Sequence, residues 1–221
     1  MPPPLEVART LVLGIRDGSL IVALLASLSR VCAGFAIGTL LGIGLGALTA
    51  KSRWAEDTIG RLILSLQTIP SIAWLPFAQL WFGLNEKAIL FMVALGATLP
   101  VAISVESGIR QMPANLARVA RMMGMTPGQM LRWVTIPASV PALAVGMRNA
   151  WAFSWRSLLA GELLMATRGL GQVLMLGREL NDMAQVFAVM IVIAALGYAM
   201  DNGVFRRLEA MVASRWDTAL R

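Results

Sequence analysis

From Leu20 to Ala50 the chain runs 31 residues with a single charged side chain, Arg30. A helix needs about 20 mostly apolar residues to cross a hydrocarbon core of about 30 Å, so this stretch is long enough to span a bilayer. Four further stretches repeat the pattern: about 62–82, carrying Pro70 and Pro76; about 88–105; about 138–165, containing Arg148, Arg156 and Glu162; and about 186–205, which crosses Asp201. Of the 221 residues 57% are apolar and 14% charged, against about 45–50% and about 25% in soluble domains. A soluble domain of this size has too much surface to hide that excess. The expected fold is all-α: a polytopic bundle of about five transmembrane helices.

Composition also removes functions. The chain has no histidine, which excludes HExxH zinc chemistry and any Ser–His or Cys–His nucleophile. Its one cysteine, Cys32, lies in an apolar run, so no disulfide forms within the chain. The net charge of +7 comes from residues spread beside apolar segments, without a basic arm or nucleic-acid motif; no nucleic-acid partner is expected. The start, Met1-Pro-Pro-Pro-Leu5, lacks the pattern of a cleaved signal peptide.

Lys and Arg set the orientation. Residues 51–61 carry Lys51, Arg53 and Arg61; residues 109–137 carry Arg110, Arg118, Arg121 and Arg132; the tail 206–221 carries Arg206, Arg207, Arg215 and Arg221. These eleven outweigh the five in the alternate segments, Arg9, Arg16, Lys87, Arg168 and Arg178. The richer set belongs in the cytoplasm, which puts residues 1–19 outside. Trp54, Trp81 and Trp133 fall near span ends, where indoles anchor at the interface.

Two patterns go beyond mere spanning. Gly34, Gly38, Gly42 and Gly46 recur every four residues, a smooth stripe where another helix backbone can approach. Residues 115–141, cytoplasmic by the charge count, are neither wholly apolar nor disordered. Leu116, Val119, Ala120 and Met123 keep helical spacing up to Gly124, a helix stop. Thr126-Pro127 reads as a new helix start, with threonine as cap and proline at the first helical position. Met130, Leu131 and Val134 continue an apolar stripe until Pro137. Two short helices around a Gly-centred bend suit either a docking element or an amphipathic element resting on lipid headgroups.

Arg148, Arg156 and Glu162 are costly within spans and are candidates for the translocation pathway. Arg148 and Arg156 lie within about 80° of each other around a helix. Either they form a cationic lining for an anion, or Arg148 snorkels to the cytoplasmic interface while Arg156 pairs with Glu162 or Glu106.

The bent segment resembles the EAA motif of binding-protein-dependent ABC importer permeases, E-A-A-x3-G-x9-I-x-L-P. Here the matching residues are Arg118-Val119-Ala120, then Gly124, then Val134-Thr135-Ile136-Pro137. The glycine-to-proline spacing and the third alanine are kept, whereas Arg118 replaces the glutamate. Residues 27–46, 69–83, 136–164 and 168–174 look like the nitrate, sulfonate and taurine branch of that family. The resemblance implies a type I importer permease, with 20–205 as its transmembrane domain. Two permease copies, expected as a homodimer, would form the pathway. Cytoplasmic ABC ATPase subunits would power it, and a periplasmic binding protein would deliver a small, anionic solute such as a sulfonate, taurine or nitrate. No Walker A pattern occurs, so the chain itself takes no cofactor and ATP is bound by the partner. Val119, Ala120, Met123, Met125 and Met130 would supply apolar contact to the ATPase around Gly124, within a coupling loop that extends through Val134, Ile136 and Pro137. The family usually has six spans; by comparison the first is missing here. A secondary carrier or channel fits the spans equally well but leaves the Gly124 segment unexplained.

Overall fold

The computed structural model describes residues 2–165 and 167–217; Arg221 lies outside them. Among the described residues the chain is helical, without strands. The helices are α1 (Pro4–Arg16), α2 (Ser19–Lys51), α3 (Arg53–Gln67), α4 (Ser71–Phe82), α5 (Glu86–Arg110), α6 (Ala114–Met122), α7 (Pro127–Leu164), α8 (Leu170–Glu179) and α9 (Met183–Val212, continuing to Asp217). Four of them, α2, α5, α7 and α9, are long and apolar enough to span, and α3 with α4 makes a fifth if that bent pair is one span.

The expected second span at about 62–82 falls on this bent pair. The chain turns by 107° between α3 and α4. Pro70 lacks the N–H a continuing helix needs, and it is extended, with ψ of 138°. The Ser65 carbonyl, freed at the break, accepts both the Thr68 N–H and the Thr68 hydroxyl. The residues expected as an N-terminal segment and as an external loop also form helices, α1 and α8, which periodicity did not single out. α1 seats Val7 against Ala184 and Ala188 of α9. Asp17 then starts α2 by accepting the Ser19 N–H and hydroxyl, at 2.9 and 2.7 Å. Those two donors hold its carboxyl below the ordinary carboxylate value.

Helix α5 is the axis of the bundle, packed between α2 and α7 and buried over 67% of its most apolar stretch. The α2 glycine stripe faces it. A Cβ on Gly34 would lie 2.6 Å from Val93 Cγ1, and one on Gly42 would lie 2.7 Å from the Thr98 carbonyl oxygen; Gly38 and Gly46 meet the Ala94 and Ala102 carbonyls still more closely. Gly44 faces elsewhere, with nothing within 4 Å. Helix–helix contact, not composition alone, explains the register. On its other side α5 meets α7 through a less regular set: Gly96 against Ser157, Gly108 against Ala142, and Gly146 against Ser104. Val93, Ile89 and Leu158 are fully buried there. Without hydrophobic gain between helices in lipid, such close backbone approach supplies the association.

Three wide turns, each with i→i+5 hydrogen bonding, interrupt α3, α7 and α9 at Glu56–Gly60, Leu131–Thr135 and Asp201–Phe205. All three sit on the arginine-rich side. The middle one corrects the expectation that the second short helix ends at Pro137. The Ile136 N–H reaches back to the Leu131 carbonyl, and the widened turn accommodates a proline that would break a regular α-helix. The chain therefore runs unbroken from Pro127 to Leu164.

Candidate functional site

Two features stand out on this scaffold, a cavity inside the bundle and a bent element outside it. The cavity occupies about 320 Å³ between the α3–α4 break, α5 and α7, at the low end of the roughly 300–1,000 Å³ of small-molecule sites. Thr68, Pro70 and Trp74 come from the break, Met92, Leu95 and Gly96 from α5, and Phe153, Arg156 and Ser157 from α7. Pro100, also in the wall, sits inside α5 and withdraws an N–H from its backbone ladder.

Arg156 is the cation of this cavity. It is exposed, its guanidinium lies 5.2 Å from the Phe153 ring centre, and it makes no ion pair among the described residues. The alternative pairing with Glu162 or Glu106 is therefore corrected. Glu106 joins Arg110 at 3.4 Å. Glu162 lies 1% exposed, away from the cavity, and accepts from Arg30 at 2.9 Å, from the Ser27 hydroxyl at 2.7 Å and from the Gly171 N–H at 3.1 Å. It is a clamp joining α2, α7 and α8, not a lining residue. Arg30 completes the clamp by reaching Glu86 at 2.6 Å and the Arg168 carbonyl. Sequence reasoning noticed Arg30 only as an interruption; its burial required the fold.

Arg148 neither lines the cavity nor snorkels freely. It forms a two-pronged pair with Asp201 at 2.6 and 2.7 Å, and a longer contact to Glu209 at 3.4 Å, tying α7 to the last helix. Arg110 does the same for the other flank, bridging Glu56 at 2.8 Å, Glu106 and the Thr49 carbonyl. Both clusters adjoin wide turns on the arginine-rich side.

The bent element is held by local hydrogen bonds on both sides of its turn. α6 ends in a Schellman motif: Gly124 takes φ of 73°, its N–H bonds the Arg121 carbonyl, and the Met125 N–H bonds the Ala120 carbonyl. Two residues on, Thr126 and Gln129 form a reciprocal capping box, with Pro127 at the first helical position. Side-chain directions revise the expected contact set. Ala120 is 2% exposed and turned inward, so it supports the element from within. Val119 and Met123 are exposed, Arg118 is exposed, and Met125, Met130, Val134 and Pro137 are half-buried. Met122, which the sequence reading passed over, is the most exposed at 87%, and Ile136 is also exposed. Helical phase places Met122 on the face opposite Ala120, a signal the sequence did contain.

A bundle of membrane-length helices with a solute-sized open cavity carrying an unpaired cation, and an apolar-tipped bend on its arginine-rich flank, has the architecture expected of a membrane transport protein. Residues 38–214 match the family described as binding-protein-dependent transport system inner membrane component, and the chain belongs to that family. It is 35% identical over 188 residues to a putative ABC transporter permease of Methanocaldococcus jannaschii, covering 85% of this chain and 70% of that protein. It is 32% identical over 216 residues to a putative aliphatic sulfonates transport permease of Bacillus subtilis, covering 98% and 78%. A bicarbonate transport system permease of Synechococcus elongatus is 31% identical over 189 residues, covering 85% and 68%. The fold is shared with the MetNI methionine ABC transporter in an inward-facing conformation, at a TM-score of 0.73 and 21% identity over 88% of this chain and 96% of that one. The protein is thus a multi-pass inner-membrane permease subunit of an ABC importer for small solutes.

Proposed function

We propose that this subunit passes a small anionic solute through a pathway that includes the Arg156 cavity, driven by separate ATPase subunits that grip the bend around Gly124. The observation that carries the reading is Arg156: a guanidinium left without a carboxylate inside a span is expensive, while every neighbouring span arginine is paired. The sulfonate and bicarbonate relatives are named for anions, which supports the same sign of charge. Coupling rests on the bend. Met122, Met123 and Val119 offer an exposed apolar tip, and methionine adapts to a groove that changes shape. The Schellman motif and capping box transmit force without collapsing. α6 is tied through Gly124 to α7, and α7 carries Arg156, so displacement of the bend moves the cavity wall directly. Two copies of the chain, with a periplasmic binding protein delivering solute, complete the assembly in this reading.

The test is uptake by the assembled transporter in proteoliposomes. Arg156→Gln is expected to abolish uptake while ATPase subunits still copurify and hydrolyse ATP. Normal uptake by Arg156→Gln ends the anion reading. Failure of wild-type chain to retain any ATPase subunit ends the importer mechanism.

A further inference from the structure

The bundle is fastened by charge at both ends, and the two ends are built differently. Away from the arginine-rich side, Arg30 meets a Glu162 side chain that is wholly buried. The Ser27 hydroxyl and the Gly171 N–H donate to the same carboxylate, and the Leu170 N–H donates to the Ser27 oxygen at 2.9 Å. Only the outer arm of the clamp, Glu86, is exposed. Opening it would strand a charge and several donors away from water, which is strongly unfavourable.

The arginine-rich end carries the other two clusters. Arg148 is 16 residues from Leu164, and Asp201 is 18 residues from Met183. At 1.5 Å per residue they lie about 24 and 27 Å from the opposite helix ends, at the edge of a hydrocarbon core of about 30 Å. Arg110 is the last residue of α5. Exposed surface at that depth meets headgroups and water. Arg148 and Asp201 keep 41% and 40% of their side-chain surface, and Arg110 and Glu56 keep 33% and 39%. Pairs so exposed contribute little, so they open and re-form easily.

In both clusters the cross-helix carboxylate comes from the first residue of a wide turn, Asp201 in Asp201–Phe205 and Glu56 in Glu56–Gly60. Residues eight apart diverge by about 80° on a regular helix, and a wide turn takes back about one residue of rotation, about 100°. Asp201 and Glu209 thereby fall within about 20° of each other, and both reach Arg148. In α3 the turn brings Gly60 beside the Glu106 carboxylate, where a Cβ would stand 3.4 Å from it. Such turns are rare and recur at functional sites.

We propose that Arg148–Asp201–Glu209 and Arg110–Glu56 are latches that open in each transport cycle, while the Arg30–Glu162 clamp stays shut as the pivot. Once Arg148 lets go, the wide turn in α9 is free to close into regular helix. Closure rotates Glu209 by about 100° relative to Asp201, so the two acids no longer share a face. Asp201 and Glu56 are therefore positioning residues, holding α9 to α7 and α3 to α5 until the bend is displaced. The proposal rests on ATPase subunits acting on that bend, and adds which contacts yield to the force.

The experiment is hydrogen exchange of the permease–ATPase complex in nanodiscs, read by mass spectrometry with and without ATP and vanadate. Amides of 201–206 and 56–61 are expected to exchange about twofold to fivefold faster in the trapped state, with Leu170 and Gly171 unchanged. Asp201→Asn is expected to raise ATP hydrolysis without binding protein about twofold to fivefold and to lower uptake per ATP, and Arg148→Asp/Asp201→Arg to restore both. A pair that merely supports the fold lowers hydrolysis, uptake and melting temperature together, and that pattern overturns the proposal. So does unchanged exchange at either wide turn, or exchange at 170–171 that quickens as much. Protection of residues 115–137 by the ATPase subunits is read in the same spectra. Its presence beside unmoved latches sinks the latches alone, whereas its absence in wild type sinks the importer mechanism.

Discussion

Replacing one glycine of the α2 stripe with alanine inserts a single methyl where α5 leaves no room. At Gly42 the new Cβ falls 2.7 Å from the Thr98 carbonyl oxygen and 2.7 Å from Val101 Cβ, and ordinary contact begins at 3.4 Å. The helices must part by about 0.7 Å, because a backbone carbonyl cannot swing aside as a side-chain end can. Overpacking of this kind costs about 1–3 kcal/mol. Gly44→Ala is the matched control, since its Cβ meets nothing within 4 Å. There the change removes only glycine's conformational penalty and contributes about 0.5–1 kcal/mol of stability. The two variants have the same composition and share the same conformational gain, so they should differ by the overpacking alone, roughly 1–3 kcal/mol. At about 2–4 °C per kcal/mol for a chain of this size, thermal melts of the purified protein in mild detergent separate them readily. Equal melting of Gly42→Ala and Gly44→Ala refutes the claim that backbone contact with α5 dictates the four-residue glycine register.

Gly124 has open space around it but φ of 73°, so conformation and not volume governs substitution. Gly124→Val should strain the bend by about 1–2 kcal/mol and release the ATPase subunits, whereas Gly124→Asn should retain them on affinity purification; equal retention of both contradicts the fixed bend. Glu162→Ala leaves Arg30 buried without its inner partner and should cost about 3–5 kcal/mol, measured as lost thermal stability, with Arg30→Met/Glu162→Met recovering much of it. For Asp17, the folded carboxyl lies below its ordinary value, so its contribution is present above that value and lost as pH falls through the depressed one. Melting curves of wild type and Asp17→Asn should differ at neutral pH and converge on acidification; a gap that widens on acidification contradicts the assignment.

Much of the protein was decided before folding. Apolar runs long enough to span, with one Arg in the first of them, set an all-α membrane bundle, because in a bilayer each spanning segment has to satisfy its own backbone N–H and C=O groups. Local rules also set the Gly124 stop and the Thr126 cap, since both act within one turn of helix. Which charges pair across 53 to 132 residues of sequence is not local: Arg30 with Glu162 and Arg148 with Asp201 meet only once α2, α7 and α9 are packed. For the same reason periodicity did not predict the 107° break after Gln67. The unpaired state of Arg156 is likewise a property of the packed helices. A residue's solvent, partner and available space are set by its neighbours in three dimensions, and the chain states only which side chains compete for them.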